Sequence, residues 1–243
     1  MSFCLSLYGR ALLRLIYPES CPVCSRRLLS VEVGVCYWCL SVFERLRPPL
    51  CPLCARELPP FSGLKLCGEC LSHAVPVDRV WSVFGYTEPL KKLLHEAKYG
   101  ARPSLLRVFR EDLSGFARTL AGVFDLIVPV PLERRKMRER GFNQAKILAS
   151  FLAGAADAPV AELMRKVYPT PSQSLLGRAE RLKNLRGSFD VPCPERVRGK
   201  SILLVDDVYT TGATVRECAL ILKGCGARSV SVFALARAGS SWN

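Results

Sequence analysis

The chain lacks an apolar run of the ~20 residues that a membrane-spanning helix needs. Its most apolar early stretch, Phe3 to Tyr17, is interrupted by Arg10 and Arg14 and reads as a short amphipathic helix. The same arginines break the apolar region of a would-be secretory leader, and no small-residue cleavage pattern follows. No transmembrane segment and a cytoplasmic location are therefore expected. A Gly-x-x-x-x-Gly-Lys-Ser/Thr loop is also absent. Histidine is scarce: of the two present, His73 follows the last cysteine pair and His95 falls on a helical stretch remote from the motifs below, so no general base stands out. Acids are outnumbered, 21 Asp+Glu against 35 Lys+Arg, for a formal charge of +14. Only 23% of the 243 residues are charged and 49% are hydrophobic, which excludes general disorder and suits one large domain or a domain with a small module.

Cysteine, by contrast, is abundant. Twelve cysteines in a reducing compartment point to a metal or redox site rather than a disulfide framework. Eight of them form four Cys-x-x-Cys pairs in the first third of the chain: Cys21/Cys24, Cys36/Cys39, Cys51/Cys54 and Cys67/Cys70. A tight turn of this form presents both sulfurs to one ion, and a second pair completes a tetrahedral thiolate site for zinc. Eleven residues separate the pairs of the first set and twelve those of the second. Because each half repeats this spacing, sequential pairing into two ribbons is preferred to interleaved pairing in a cross-braced unit. A thiol-disulfide oxidoreductase, with one pair at a helix start, does not account for four regular pairs. His73 is an alternative ligand to Cys70 but is read as a surface residue. Cys4, Cys193, Cys218 and Cys225 are read as small buried apolar residues. Filling both sites, each with two net negative charges, lowers the formal charge from +14 to +10.

Residue usage changes between His73 and Asp78. Before it stand the cysteine pairs and proline-rich connectors such as Arg47-Pro48-Pro49-Leu50; after it, apolar runs alternate with helical patterns as in an α/β fold with a mostly parallel sheet. Val80 to Tyr86 reads as a strand. Pro89 to Tyr99 reads as a helix with Leu90, Leu93, Leu94 and Ala97 on one face. A further helix is expected over Pro103 to Leu120, a strand over Asp125 to Val130, then a basic loop and a helix from Asn143 to Ala155. Ser201 to Val205 is the clearest buried strand, followed by a helix with Val215, Cys218, Ala219 and Leu222 on its inner face and a last strand over Val230 to Leu235.

The most informative string runs from Ile202 to Thr214. A buried strand ends in Asp206-Asp207, and the loop Val208-Tyr209-Thr210-Thr211-Gly212-Ala213-Thr214 then opens a helix. Backbone N–H groups of such a loop, backed by a helix N-terminus, suit a phosphate. The two carboxylates would repel one. They suit hydroxyl groups, as on a ribose, with Mg²⁺ nearby to moderate the charge. A second string, Val128-Pro129-Val130-Pro131, leads into Arg134, Arg135, Lys136, Arg138, Arg140, Gly141, Phe142, Asn143 and Gln144. Between Leu132 and Phe189 stand twelve Lys/Arg and five Asp/Glu, half the net charge of the whole chain. Basicity is thus concentrated where a polyanion would bind.

The Asp206 to Thr214 string resembles the fingerprint of type I phosphoribosyltransferases, whose substrate is phosphoribosyl pyrophosphate (PRPP). The resemblance implies that Asp206 and Asp207 hold the ribose 2′ and 3′ hydroxyls, that Thr210, Thr211, Gly212, Ala213 and Thr214 hold the 5′-phosphate, and that the loop at Val130 and Pro131 meets the pyrophosphate. The segment Arg165, Thr170, Gln173, Arg178, Arg181, Asn184, Phe189 would then be a mobile hood. The wider pattern resembles the ComF family: Leu12-Leu13-Arg14-Leu15-Ile16-Tyr17-Pro18 before Cys21, the cysteine module, Tyr86/Leu90/Leu94/Lys98/Tyr99/Gly100, Val-Pro-Val-Pro, Arg138 to Gln144, Gln173/Arg181/Asn184/Phe189 and the PRPP fingerprint. It implies a double zinc ribbon over 1–75, a Rossmann-like phosphoribosyltransferase domain over 76–243, two structural zinc ions, Mg²⁺ with PRPP or a related ribose phosphate, and a part in importing single-stranded DNA during bacterial transformation together with DNA-uptake proteins.

Two readings of function follow. If the protein catalyses, pyrophosphate leaves as an oxocarbenium-like C1 meets a nucleophile, and Arg138, Arg140, Lys166 and Arg181 are candidates to meet the leaving charge. Alternatively it is a nucleic-acid-binding module with a regulatory ribose-phosphate site, in which Tyr37, Trp38, Phe43 and Phe61 stack bases or pack the ribbons. A purely structural zinc adaptor leaves the Asp206 to Thr214 string unexplained.

Overall fold

The computed structural model describes residues 19–29, 32, 34–73, 75–167 and 187–239. The expected amphipathic segment before Pro18, Cys4 and the hood residues Thr170, Gln173, Arg178, Arg181 and Asn184 lie outside the described residues. By contact the chain divides into two units, one of Met1–Phe43 with Glu88–Val108 and one of Glu44–Thr87 with Phe109–Asn243. The boundary expected near 75 marks a change in residue usage.

In the larger unit four strands form a parallel sheet in the order β1-β6-β5-β2, with β1 Val80–Gly85, β2 Leu126–Pro129, β5 Ser201–Tyr209 and β6 Ser229–Arg237. Covering helices make such strands apolar on both faces. Accordingly Ile202 to Val205 and Val230 to Ala236, Ser231 apart, form an unbroken hydrophobic core. The helix Gln144–Ala156 packs on β2 and β5, and Ala213–Gly224 on β5 and β6. Two short strands, β3 Arg165–Lys166 and β4 Phe189–Asp190, pair antiparallel beside this sheet. Beyond β1 the chain at Arg45 bridges Phe84, Leu46 N–H bonds to the Val83 carbonyl at 3.0 Å, and Val80 N–H to Pro52 at 2.7 Å. Residues of the second cysteine segment are therefore integral to the sheet's edge.

The other unit holds the first cysteine segment and the helix Glu88–Tyr99, whose Leu90, Leu93, Leu94 and Ala97 are all buried, as their spacing predicts. Lys92 Nζ donates to the Val23 carbonyl at 2.6 Å.

Four expectations change; the simplest is that Cys193, expected to be buried, is exposed. Pro103 to Leu120 is not one helix: a 3₁₀ segment Pro103–Phe109 precedes the α-helix Arg110–Arg118. The break at Phe109 lets its ring meet Phe84 at 5.5 Å, a tertiary contact that periodicity does not report. The basic loop is partly helical, Arg134–Arg140, supported by the Arg135–Glu139 pair at 2.8 Å and closed by Gly141 at φ 79°. Finally β5 runs on through Asp206 and Asp207 to Tyr209, because β6 continues to pair with it as far as Tyr209↔Arg237.

Phe233 is fully buried in β6 against Phe116, ring centroids 5.1 Å apart. Phe233→Ala should cost about 3–5 kcal/mol by the lost transfer energy and the cavity left behind, read as a lower denaturant midpoint in urea unfolding.

Candidate metal centres and phosphate-binding loop

The two cysteine tetrads are built by the same local device. Cys21 N–H bonds to Arg26 O at 2.7 Å and Ser25 N–H to Cys21 O at 2.8 Å; in the second segment Cys51 N–H bonds to Arg56 O at 2.7 Å and Ala55 N–H to Cys51 O at 2.8 Å. Ser25 and Ala55 take the same left-handed conformation, φ 63° and 55°. The second pair of each set starts a one-turn helix, Tyr37–Ser41 capped by Cys36 and Gly68–Ser72 capped by Cys67. The result is two sequential groups, Cys21/Cys24/Cys36/Cys39 and Cys51/Cys54/Cys67/Cys70, each with its sulfurs within 4.8 Å of one another. His73 stands outside both, its Nδ1 2.9 Å from Ser72 Oγ.

These residues fit zinc. Tetrahedral Zn–S bonds of about 2.3 Å place sulfurs about 3.8 Å apart, and Cys24–Cys36 and Cys54–Cys67 stand at 3.6 and 3.5 Å. Without a cation the sulfurs cannot all ionise together. Burial pushes the Cys54 thiol up to about 11, and burial with neighbouring sulfurs pushes Cys39 and Cys70 higher still. Burial acts the same way on Cys21, but backbone N–H groups of Cys36, Cys24 and Val23 together bring it down to about 7. Zinc supplies the missing positive charge and would hold all four as thiolates. Glu32, almost fully buried, fastens the loop inside the first segment by accepting from Leu29 N–H at 2.7 Å and Tyr37 N–H at 2.8 Å.

The second centre of interest is the carboxyl end of β5. Asp206 and Asp207 are half-buried, and Asp206 Oδ1 accepts from Asp207 N–H at 2.9 Å. Thr210 and Thr211 lead to Gly212, which caps the helix Ala213–Gly224 with φ 75° and accepts from Arg216 N–H at 2.8 Å. A side chain at Gly212 would strike Tyr209, whose hydroxyl is 2.3 Å from the position a Cβ would take. Only glycine lets the loop close over that ring. Thr214 starts the helix beside Ala213.

Register brings Val130 and Pro131 to the same end of the sheet. Pro129 pairs with Val205, and Val130 N–H bonds to Val205 O at 2.8 Å. Asn143 ties this turn to the next helix: its side chain donates to Val130 O at 2.9 Å and accepts from Ala145 N–H at 3.0 Å. Gln144 is 3% exposed, and its amide nitrogen has no hydrogen-bond partner among the described residues. Arg140 donates to the side-chain Oε1 of Gln144 at 2.8 Å, while Arg138 is exposed on the helix Arg134–Arg140. Lys166 on β3 is partly buried, which lowers its pKa, as does nearby Lys136. Burial raises the Cys218 thiol; Asp206 adds to the rise and Lys166 opposes it, so both charges reach the helix beneath the loop. Arg181 lies outside the described residues.

A cavity of 430 Å³ opens where the second cysteine segment faces the loop. Thr210, Thr211, Gly212 and Arg216 form one wall, and Cys54, Arg56, Glu69, Cys70 and His73 the other. Sequence reading missed Arg237 on its floor. The only signal was a charge closing an apolar strand.

A double cysteine tetrad joined to a parallel sheet with an acidic strand end and a glycine-capped loop defines a class, a zinc ribbon protein with a phosphoribosyltransferase fold. The double zinc ribbon domain matches residues 12–71 and the phosphoribosyl transferase domain residues 139–243. The DNA utilization protein YhgH of Salmonella typhimurium is 36% identical over 92% of this chain and 99% of its own. Competence protein ComFC of Bacillus subtilis is 32% identical over 86% of this chain and 87% of its own. The chain belongs to the ComF family. Among solved structures, the allosteric regulatory enzyme of purine biosynthesis is 23% identical, covering 51% of this chain and 25% of that one at a TM-score of 0.35.

Proposed function

We propose that this protein binds Mg²⁺-PRPP, or a related ribose phosphate, at the carboxyl end of β5 and takes part in the uptake or processing of single-stranded DNA in bacterial transformation. The observation that carries the first half is one short stretch of chain. Asp206-Asp207 stands in β5 just before a glycine-capped loop that opens a twelve-residue helix. Asp206 and Asp207 would take the ribose hydroxyls, with Mg²⁺ beside them offsetting carboxylate and phosphate charge. Thr210, Thr211, Gly212, Ala213 and Thr214 would take the 5′-phosphate, and Val130 and Pro131 would border the pyrophosphate. In a transfer reaction the C1–O bond to pyrophosphate would break as a nucleophile adds to C1, and Arg138, Arg140, Lys166 and Arg181 are the candidates to meet the leaving charge. The second half rests on the relatives, named for DNA utilization and for competence.

Calorimetry with Mg²⁺-PRPP tests binding directly; absence of Mg²⁺-dependent heat would sink the reading. Incubation with a panel of bases, nucleotides and single-stranded DNA, following pyrophosphate release, identifies an acceptor.

A second reading, a nucleic-acid-binding module with a regulatory ribose-phosphate site, is favoured by three bare aromatic rings: Tyr37 is 57%, Trp38 69% and Phe61 106% exposed. Phe43, 7% exposed, packs inside instead. Phosphate contacts release counterions, so single-stranded DNA binding should weaken by at least tenfold between 50 and 200 mM salt, on the order expected for several contacts. Trp38→Ala should weaken it at every salt concentration. A gel-shift series without salt dependence, or without binding, excludes this reading.

A further inference from the structure

Arg237 ends β6 and is 3% exposed, one of few charged residues so deeply buried among those described. Its Nε donates to the carbonyl of Cys54 at 2.7 Å. Its Nη1 donates to Thr210 O at 2.9 Å, to Tyr209 O at 3.3 Å and to Ala238 O. The guanidinium lies over the Tyr209 ring, 5.1 Å from its centre. One buried cation thus spans from the knuckle of the second tetrad to the two peptides that begin the glycine-capped loop.

The consequence comes from peptide geometry. A trans peptide is planar, and its C=O and N–H point in opposite directions. The Tyr209 carbonyl shares a peptide with the Thr210 N–H, and the Thr210 carbonyl shares one with the Thr211 N–H. Holding both carbonyls against Arg237 turns both N–H groups away from it. The Cys54 carbonyl fixes the other end of the guanidinium, and a metal ion on the Cys54 sulfur would anchor that peptide from the tetrad side. A filled tetrad also carries two net negative charges, which favour a cation beside it.

We propose that Arg237 is a positioning residue that couples metal occupancy of the Cys51/Cys54/Cys67/Cys70 tetrad to the phosphate-holding conformation of the Thr210–Thr214 loop. This rests on the reading that the loop holds the phosphate of PRPP. The ribbon is then a support of the ligand site, whereas the cation on the first tetrad's turn, Lys92 on the Val23 carbonyl, comes from the helix Glu88–Tyr99.

Coupling between two binding events is reciprocal, which provides the test. Zinc affinity is measured on the full chain by competition with a chromogenic chelator, with and without saturating Mg²⁺-PRPP, beside calorimetry of PRPP. In the wild type one of the two zinc equivalents should bind at least tenfold tighter with PRPP, and the other should not respond. In Arg237→Met, PRPP affinity should fall at least tenfold and the zinc response should vanish. Amide hydrogen exchange over 209–214 should quicken in the variant without any ligand, a readout that separates loop positioning from general loss of structure. Should Arg237→Met not fold, the wild-type zinc response decides alone. PRPP binding that leaves both zinc equivalents unchanged overturns the proposal while leaving the PRPP reading intact. No PRPP binding by the wild type overturns both.

Discussion

Replacing Asp206 and Asp207 together by asparagine is expected to weaken Mg²⁺-PRPP binding by roughly 10²–10⁴-fold while leaving the unfolding midpoint within a few degrees. Hydrogen bonds to charged groups contribute about 1.5–3 kcal/mol each, and two lost clamps on a diol give that range at about 1.4 kcal/mol per tenfold. Asparagine is chosen because it keeps the side-chain shape on β5 and an oxygen for the Asp207 N–H that Asp206 now accepts at 2.9 Å. It removes the negative charge and turns one acceptor oxygen of each side chain into an NH2 donor. The sheet pairing of Asp206 with Ala234 uses backbone atoms and is untouched. Calorimetry gives affinity and thermal unfolding gives stability. Equal affinity in the variant would remove Asp206 and Asp207 from the ligand site.

The second large effect is an asymmetry between the tetrads. Cys54→Ser should lower zinc content from two equivalents to one and destabilise the sheet, whereas Cys24→Ser should lose one zinc with little change in the sheet's unfolding. Cys51, Cys54, Cys67 and Cys70 are all buried and belong to the same hydrophobic cluster as Val128, Ile202, Leu204, Val215, Leu222 and Val232. Cys24, by contrast, is exposed, and its tetrad lies in the other unit. Structural zinc contributes on the order of 10 kcal/mol of apparent binding energy in small ribbon peptides. Losing that at the sheet's own edge is comparable to the total stability of an ordinary domain. Zinc assay and far-ultraviolet circular dichroism during heating decide it. Equal melting of the two variants would overturn the asymmetry.

The arrangement has a charge logic as well. Of the basic excess, half falls between Leu132 and Phe189. The described part of that stretch places Arg140 on Gln144 and Lys166 within electrostatic reach of the helix under the loop. Concentrated positive charge there suits a polyanion, whether a polyphosphate ligand or a nucleic acid. Salt dependence separates the two, since it grows with the number of phosphates contacted.

What the sequence determined by itself is local and periodic. Four cysteine pairs at repeated spacing specify two tetrads, because a two-residue gap closes a turn whatever surrounds it. The face Leu90/Leu93/Leu94/Ala97 specifies a helix, because its burial follows a period of 3.6, and the run Ile202 to Val205, apolar at every position, specifies a strand covered on both faces. Asp206-Asp207 before a glycine-capped loop is legible for the same reason, as all its parts are neighbours along the chain. Tertiary structure alone decided the rest. It set the end of β5, since β6 pairing extends the strand past the two acids. It divided the chain so that the two tetrads fall in different units, and it brought Cys54, Thr210 and Arg237 within hydrogen-bonding distance across 183 residues. Contacts of that separation depend on how sheet edges and segments pack, and no spacing along one chain encodes them.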